Sequence, residues 1–379
     1  MIKRTYWIKK IHDAWEKRSI IWLSGVRRVG KTFLCKSLQN IEYFDCELPR
    51  VRQALVDPEG FLRRVQGKQI ILDEIHRLEN PSELLKIAAD HYPGIKVIAT
   101  GSSTLEASKK FRDSLTGRKA NIHLTPLLLH ELKDFEGMDL EHRMLFGGLP
   151  PFFLEDTLPE SEYQEWLSSY WAKDIQELFR LEKRFSFIKF TELVLAQSGA
   201  MFEASRFAAP CEVSRTTITN YLSVLESTYV AHIIRPFSSY APTEIVSAPK
   251  VYGFDTGFVC HCRGWINLKR EDLGPLWEHI VLNELVGKKG TVTINYWRDK
   301  QDHEIDFIIS HRKTEPIAIE CKWSSTHFEP RNLKAFRRHY PNGKNYVVTN
   351  DTDISYEKKF GEITVIFTSL ESLTEELFS

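Results

Sequence analysis

Apolar and polar positions alternate with a changing period along this chain, and the changes divide it into elements. Tyr6–Arg18 sets Trp7, Ile8, Ile11, Ala14 and Trp15 at helical spacing between charged residues, which predicts an amphipathic helix. Ser19–Ser24 follows with the unbroken run Ile20, Ile21, Trp22 and Leu23, the signature of a buried parallel strand. Thr32–Leu38 returns to helical spacing through Phe33, Leu34, Cys35 and Leu38. Ile41–Asp45, Gln69–Glu74 and Ile95–Ser103 read as further strands, with Pro49–Val56 and Pro58–Gln66 helical between them. Strands alternating with helices predict an α/β fold with a parallel sheet.

Gly147-Gly148-Leu149-Pro150-Pro151 breaks this rhythm and closes a first domain over 1–150. A middle region, 151–240, reads as helical. Ser161–Leu181 predicts a long helix with Tyr163, Trp166, Leu167, Tyr170, Ile175 and Leu178 on its apolar face. Phe187–Ala200 and Glu203–Ala208 follow as helices. Ser214–Glu226 carries an N-cap serine, inward Ile218, Leu222 and Leu225, and outward Arg215, Thr216, Thr217, Thr219 and Asn220. With Tyr229–Ile234 as a wing strand, this predicts a winged helix. Ala241–Pro249 reads as a linker into a last domain, 241–379, where Lys250–Asp255, Val292–Arg298, Glu304–Ser310, Pro316–Trp323, Tyr346–Thr349 and Ile363–Phe367 predict strands. Gly274–Val286 and Leu370–Phe378 predict helices beside them.

Between the first strand and its helix lies Gly25-Val26-Arg27-Arg28-Val29-Gly30-Lys31-Thr32, a G-x-x-x-x-G-K-T phosphate-binding loop. Glycines let backbone N–H groups curl around a polyanion, and the following helix N-terminus, opening through Phe33, adds partial positive charge. Lys31 would reach the β- and γ-phosphates of ATP and Thr32 would hold Mg²⁺. Arg27 and Arg28 add cations near the phosphates. The strand ending in Asp73-Glu74 has the Walker B form: Asp73 would bind Mg²⁺ through water, and Glu74 would orient and polarise the attacking water. Thr100 or Ser102, at the end of the next apolar strand, is expected to sense the γ-phosphate. Arg118, in Leu115-Thr116-Gly117-Arg118, is either a surface arginine or a finger acting on a neighbour's ATP, and in the latter case implies a homo-oligomeric ring such as a hexamer.

These motifs, together with Leu124-Thr125-Pro126-Leu127, His130-Glu131-Leu132 and Phe146-Gly147-Gly148-Leu149-Pro150, resemble in order and wording the prokaryotic AAA+ ATPases that carry an uncharacterised C-terminal domain. The resemblance spans essentially the whole chain. It implies a P-loop AAA+ ATPase core, a helical and winged-helix middle, and a C-terminal α/β domain of PD-(D/E)XK nuclease-like fold.

In that last domain Asp306 and Glu320-Cys321-Lys322 lie fourteen positions apart on successive predicted strands, resembling the PD-(D/E)XK signature. Adjacent strands would bring Asp306 beside Glu320, with Lys322 on the same face as Glu320. Such oxygens suit Mg²⁺ or Mn²⁺, Glu278 would complete the cluster, and Lys322 would act on a metal-bound water. Ile305 stands where the leading proline of the signature belongs. The alternative is a nuclease fold that holds DNA without cutting it. Arg331, Lys334, Arg337 and Arg338 fall at helical spacing and form the clearest basic stripe, either a DNA contact or a solvated face. Arg215 and Thr217 are the groove candidates of the winged helix. Yet residues 180–235 carry seven Lys and Arg against five Asp and Glu, too few extra cations for a strong autonomous duplex binder.

Composition narrows this picture without redirecting it. Lys plus Arg and Asp plus Glu are equal at 51 each, so only local charge speaks of partners. Six scattered cysteines form no disulfide framework and fit a reducing cytoplasm. Cys260-His261-Cys262 has no second pair for a zinc site and reads as two strand thiols. No apolar run reaches membrane-spanning length, and the basic start of the chain lacks the apolar stretch of a secretion signal. The expected protein is an ATP-hydrolysing AAA+ machine acting on branched or junction DNA, whose C-terminal domain clamps or cleaves it. The alternative is an ATP-gated DNA- or protein-binding switch without cleavage or translocation.

Overall fold

The computed structural model describes residues 4–101, 109–134, 139–176, 179, 181, 183–238, 248–290, 292–310 and 314–378. Five short strands, β1 (Ile20–Ser24), β2 (Ile41–Asp45), β3 (Gln69–Asp73), β4 (Lys96–Ala99) and β5 (Lys119–His123), form a sheet in the order β2-β3-β4-β1-β5. All its pairings are parallel. Every residue of β1 is buried, as its unbroken apolar run requires. Parallel strands put all their C-terminal ends on one edge, which is where the P-loop and the Asp73-Glu74 pair emerge. The helix Pro81–His91 and strand β5 complete this layer, although neither has a distinctive sequence pattern.

The N-terminal helix, Thr5–Lys17, buries Trp7, Ile11 and Trp15. Arg4 at its start is fixed by two hydrogen bonds of 2.7 Å to the Glu131 carboxylate. It also donates to the Val29 carbonyl inside the P-loop at 3.1 Å. This buried pair therefore ties the His130-Glu131-Leu132 motif to the back of the phosphate loop.

The predicted long helix is interrupted. Glu160–Tyr170 is α-helical, and Trp171–Gln176 widens into a π-helical turn. Trp166, Leu167, Tyr170, Trp171 and Ile175 are all buried, and the wider turn accommodates both adjacent positions Tyr170 and Trp171. Leu178 lies outside the described residues. The helices Arg184–Ala196, Ala204–Ala208 and Arg215–Ser227 follow, the last capped by Ser214, whose side chain accepts from the Thr217 N–H at 3.1 Å. One continuous apolar cluster runs from Trp7 and Val29 through Trp166 and Tyr170 to Ile218, Tyr221 and Leu225. The P-loop layer and the helices Arg184–Ala196 and Arg215–Ser227 thus share a core.

The second sheet has nine strands: β6 (Ala200–Met201), β7 (Ala231–Pro236), β8 (Lys250–Gly253), β9 (Thr293–Arg298), β10 (Glu304–Ser310), β11 (Ile317–Lys322), β12 (Asn345–Thr349), β13 (Tyr356–Phe360) and β14 (Ile363–Thr368). Their order is β13-β14-β12-β11-β10-β9-β7-β8-β6. Strand β7, expected as a wing, pairs antiparallel with β8 and parallel with β9, so the segment after the helix Arg215–Ser227 is joined to the C-terminal region by hydrogen-bonded strands. Of the expected linker, residues 241–247 lie outside the described part. Cys260 and Cys262 sit on a helix, Thr256–Arg263, not on a strand as the local pattern suggested. That helix packs against the Phe-Gly-Gly segment: a Cβ on Gly257 would collide with the Phe146 carbonyl, so only glycine allows this approach. All six cysteines are free. No described helix is long and apolar enough to cross a membrane.

Candidate functional site: a nucleotide cavity closed by the chain itself

The P-loop turns tightly around Gly25, where φ is +148° and a Cβ would strike the Leu124 carbonyl. Gly30 occupies the left-handed N-cap of the helix Lys31–Ser37. Val29 is buried beneath the loop, and Phe33 is 42% exposed on its helix. The Lys31 ammonium donates to the Gly25 carbonyl at 2.8 Å and to the Val26 carbonyl at 3.1 Å. Burial lowers its pKa, against the pull of Glu74, Asp174 and Asp73. A phosphate would relieve this desolvated cation directly.

Asp73 is caged by three hydroxyls. Thr32 Oγ1 donates to Oδ2 at 3.0 Å, Tyr43 OH donates to the same oxygen, and Thr100 Oγ1 donates to Oδ1. Thr32 and Asp73 together offer the hard oxygen donors that Mg²⁺ prefers, so the residues present fit that ion. Thr100 also accepts from the Glu74 N–H at 3.0 Å. It is fully buried and braces both acids; Ser102 lies outside the described residues. Glu74 stands at a left-handed φ of 54°. Burial pushes its carboxyl up, but His76, whose Nδ1 lies 3.1 Å from Oε2, together with Lys31 and Arg77 outweighs this and holds its pKa below the ordinary value. It is therefore anionic, as a base that polarises water must be.

Gly25, Val26, Lys31 and Glu74 open on a cavity of about 220 Å³, lined also by Glu47, His76 and Arg77. Its far wall comes from the middle of the chain: Trp166, Tyr170, Lys173, Asp174 and Thr228–Val230. Tyr170 and Thr228 share a hydroxyl hydrogen bond of 2.6 Å, and the Tyr229 ring lies 4.1 Å from that of His123. Neither P-loop arginine points freely into the phosphate space. Arg27 faces Asp174 at 3.5 Å and Arg28 faces Glu165 at 2.9 Å. The Trp166 indole N–H donates to the Arg27 carbonyl at 3.1 Å. The two arginines thus fasten the wall onto the loop.

Arg118 lies at the entry of β5, on the sheet edge opposite the P-loop. It makes a two-pronged pair with Asp90, at 2.7 and 3.1 Å, on the surface. Within its own chain it is thus a surface arginine with a carboxylate partner. Of the cavity residues outside the motifs, His76 and Arg77 lie in the sequence one residue beyond Asp73-Glu74, after Ile75. Tyr43, Lys173, Asp174 and Thr228–Val230 carry no local signal.

Residues 17–133 match the AAA domain family. This stretch is an AAA-type P-loop ATPase domain. Residues 137–269 and 273–370 match two domains of unknown function, DUF8612 and DUF4143. Among relatives, the chain is 24% identical over 345 residues to an uncharacterized protein of Mycobacterium tuberculosis, covering 88% of this chain and 77% of that one. An uncharacterized protein of Haemophilus influenzae is 23% identical over 352 residues, covering 84% and 85%. Among solved structures, the Walker-type ATPase of Pyrococcus abyssi aligns with 69% of this chain and 96% of its own, at 15% identity and a TM-score of 0.45.

The C-terminal strands place Asp306 and Glu320 as the register predicts: Phe307 pairs with Ile319, so Asp306 and Glu320 are the next opposed positions. Lys322 Nζ lies 2.8 Å from Glu320 Oε2 and 3.6 Å from Asp306 Oδ2. Asp306 Oδ2 also accepts from the Cys321 N–H at 2.7 Å. Glu278 is turned toward a second lysine that the sequence did not flag. Lys250 Nζ lies 3.5 Å from Glu278 Oε1 and 2.5 Å from Glu304 Oε1, and Tyr252 OH donates to Glu278. Burial and then Asp306 raise the Glu278 and Glu320 carboxyls well above the carboxylate range, opposed by the lysines. Among the described residues no group of three or more His, Cys, Asp or Glu side chains is gathered closely enough to hold a metal. The expected metal set of Glu278, Asp306 and Glu320 is thus not shown, and Lys250 and Lys322 pair with its carboxylates.

Of the expected DNA contacts, Arg215 is exposed, and Thr217 is half-buried within the helix cap. Lys334 and Arg338 are exposed on the helix Arg331–His339, as is Arg331, which donates to His303 Nε2 at 3.1 Å. Arg337 does not belong with them. It is buried, with Nε 2.6 Å from Asn345 Oδ1 and further donations to the carbonyls of Pro316, Tyr340, Asn342 and Lys344. It follows Leu333 and Phe336 at the spacing of the buried face, so it holds loops together.

Proposed function

We propose that this protein hydrolyses ATP in the cavity above the first sheet and uses the nucleotide state to control a C-terminal domain that grips DNA. The observation that carries the reading is that Glu74 and Lys31 line one cavity, with Asp73 beside them bonded to Thr32 of the P-loop and braced by Thr100. Lys31 would bind the phosphates, Thr32 and Asp73 would hold Mg²⁺, and Glu74 would accept a proton from the attacking water. The bound Mg²⁺ supplies charge neutralisation at the phosphates.

DNA is favoured as the partner by the exposed stripe of Arg331, Lys334 and Arg338, whose spacing of three and four puts the cations on one helix face. Branched or junction DNA is the form proposed for it. Holding is favoured over cutting, because Lys250 and Lys322 already pair with the acidic cluster. The test is electrophoretic binding of linear, forked and four-way DNA with and without ATP, alongside incubation with Mg²⁺ or Mn²⁺. Binding that responds to nucleotide, without cleavage, supports the reading; no affinity for any DNA in either state discards it.

A switch without translocation is a second reading. It is favoured by Thr228–Val230, which join the helix Arg215–Ser227 to β7 and also line the nucleotide cavity. ATPase activity that ignores DNA altogether would favour this reading.

A further inference from the structure

The P-loop cavity contains four cations besides histidine: Arg27, Lys31, Arg77 and Lys173. Three are engaged. Lys31 is bonded to P-loop carbonyls, Arg27 faces Asp174 at 3.5 Å, and Arg77 faces Glu47 at 3.8 Å. Lys173 is exposed and makes no hydrogen bond or ion pair among the described residues. It sits in the π-helical turn Trp171–Gln176, a geometry frequent at functional sites. Its neighbour Asp174 is close enough to Lys31 and Glu74 to influence their charges, which brings the turn to the side of the cavity where the γ-phosphate would lie. The contacts of Trp166, Asp174 and Glu165 with the two P-loop arginines fix the turn there.

We propose that Lys173 is a catalytic residue of ATP hydrolysis, giving in cis the positive charge that the γ-phosphoryl group requires in the transition state. This rests on the ATPase reading above. In the step, the oxygen of water forms a bond to the γ-phosphorus while the bond from phosphorus to the β–γ bridging oxygen breaks. ADP leaves with that electron pair, a proton of the water passes to Glu74, and inorganic phosphate is the second product. Lys173 is not consumed. Its ammonium, on a flexible four-carbon stem, moves onto the oxygens where negative charge accumulates. Arg118 on the opposite sheet edge, paired with Asp90, is then not needed, and one chain carries a complete site.

The experiment is phosphate release by the full chain, for the wild type, Lys173→Ala, Lys173→Arg and Lys31→Ala, with affinity for a fluorescent ATP analogue measured on each. Wild-type turnover per chain is also followed on dilution, with mass measured in parallel. Lys173→Ala is expected to lower kcat on the order of a hundredfold while analogue affinity changes far less. Lys173→Arg should recover much of the loss, and wild-type turnover per chain should be constant on dilution. Wild-type kcat in Lys173→Ala overturns the proposal, as does a loss of affinity that matches the loss of turnover. Turnover per chain that falls on dilution points to a neighbour's cation and overturns it too. A wild type that hydrolyses no ATP removes the ATPase reading itself, and with it this proposal.

Discussion

The Asp255 carboxylate accepts a hydrogen bond from the backbone N–H of Gly148 at 2.6 Å, across 107 residues of sequence. Its other oxygen accepts from the Gly257 N–H at 3.0 Å, and the Arg143 guanidinium lies 3.9 Å away, both side chains being buried. Arg143 in turn donates to the Leu127 carbonyl and to Thr256. The pair Gly147-Gly148 is thus clasped by the turn that follows β8.

Replacing Asp255 by alanine leaves Arg143 buried without its counter-charge and strips the Gly148 N–H of its acceptor. The expected cost is about 3–5 kcal/mol. Chemical denaturation of the full chain measures it. A loss below about 1 kcal/mol would mean that this clasp does not organise the Gly147-Gly148 segment.

Arg337 and Lys334 share a helix but should behave oppositely. Arg337→Ala deprives several buried carbonyls of their donor and should cost roughly 3 kcal/mol or more. Lys334→Ala should change stability by less than about 0.5 kcal/mol. If the exposed stripe meets DNA, Lys334→Ala should also weaken binding to all sequences and reduce the salt slope by about one. Thermal melts and DNA titrations at several salt concentrations separate the two roles; equal melts for both variants would contradict the assignment.

Thr100 braces Asp73 and the Glu74 backbone at once. Thr100→Val keeps the side-chain shape and removes both hydrogen bonds. Turnover should fall about 10–100-fold, as for other groups that orient a metal-binding acid. Unchanged turnover would show that the remaining hydroxyls of Thr32 and Tyr43 suffice.

His279 is buried, and burial, then Arg263 and His232, lower its pKa to about 3. The native state therefore binds fewer protons than the unfolded chain between about pH 6.5 and that value. Stability from this group is present above the unfolded pKa and is lost as pH falls toward about 3. The expected slope approaches about 1.4 kcal/mol per pH unit within the window. His279→Gln should flatten the decline of melting temperature between pH 6 and 4; an equal decline in both proteins would place the acid sensitivity elsewhere.

What the sequence disclosed follows from how local each signal is. The P-loop, the Asp73-Glu74 strand and the opposed Asp306 and Glu320 were legible because neighbouring residues write them, and strand register does the rest. The far wall of the cavity was not, since Lys173, Asp174 and Thr228–Val230 reach it only through tertiary packing. Lys250 was hidden for the same reason: its partners Glu278 and Glu304 come from a distant helix and strand. Arg337 was misread although its pattern was available. Leu333 and Phe336 mark the inward face, and Arg337 is four residues after the first. The π-helical turn had no sequence marker beyond two adjacent large aromatics, Tyr170 and Trp171. The continuity of β7 with β9 depends on backbone hydrogen bonds that side-chain pattern does not encode.

The most direct measurement is steady-state phosphate release from ATP by the purified full-length chain with Mg²⁺, for the wild type, Lys31→Ala and Glu74→Gln. Hydrolysis by the wild type, loss of both binding and turnover in Lys31→Ala, and retained binding without turnover in Glu74→Gln is the predicted result. Hydrolysis that continues undiminished in Glu74→Gln would contradict it.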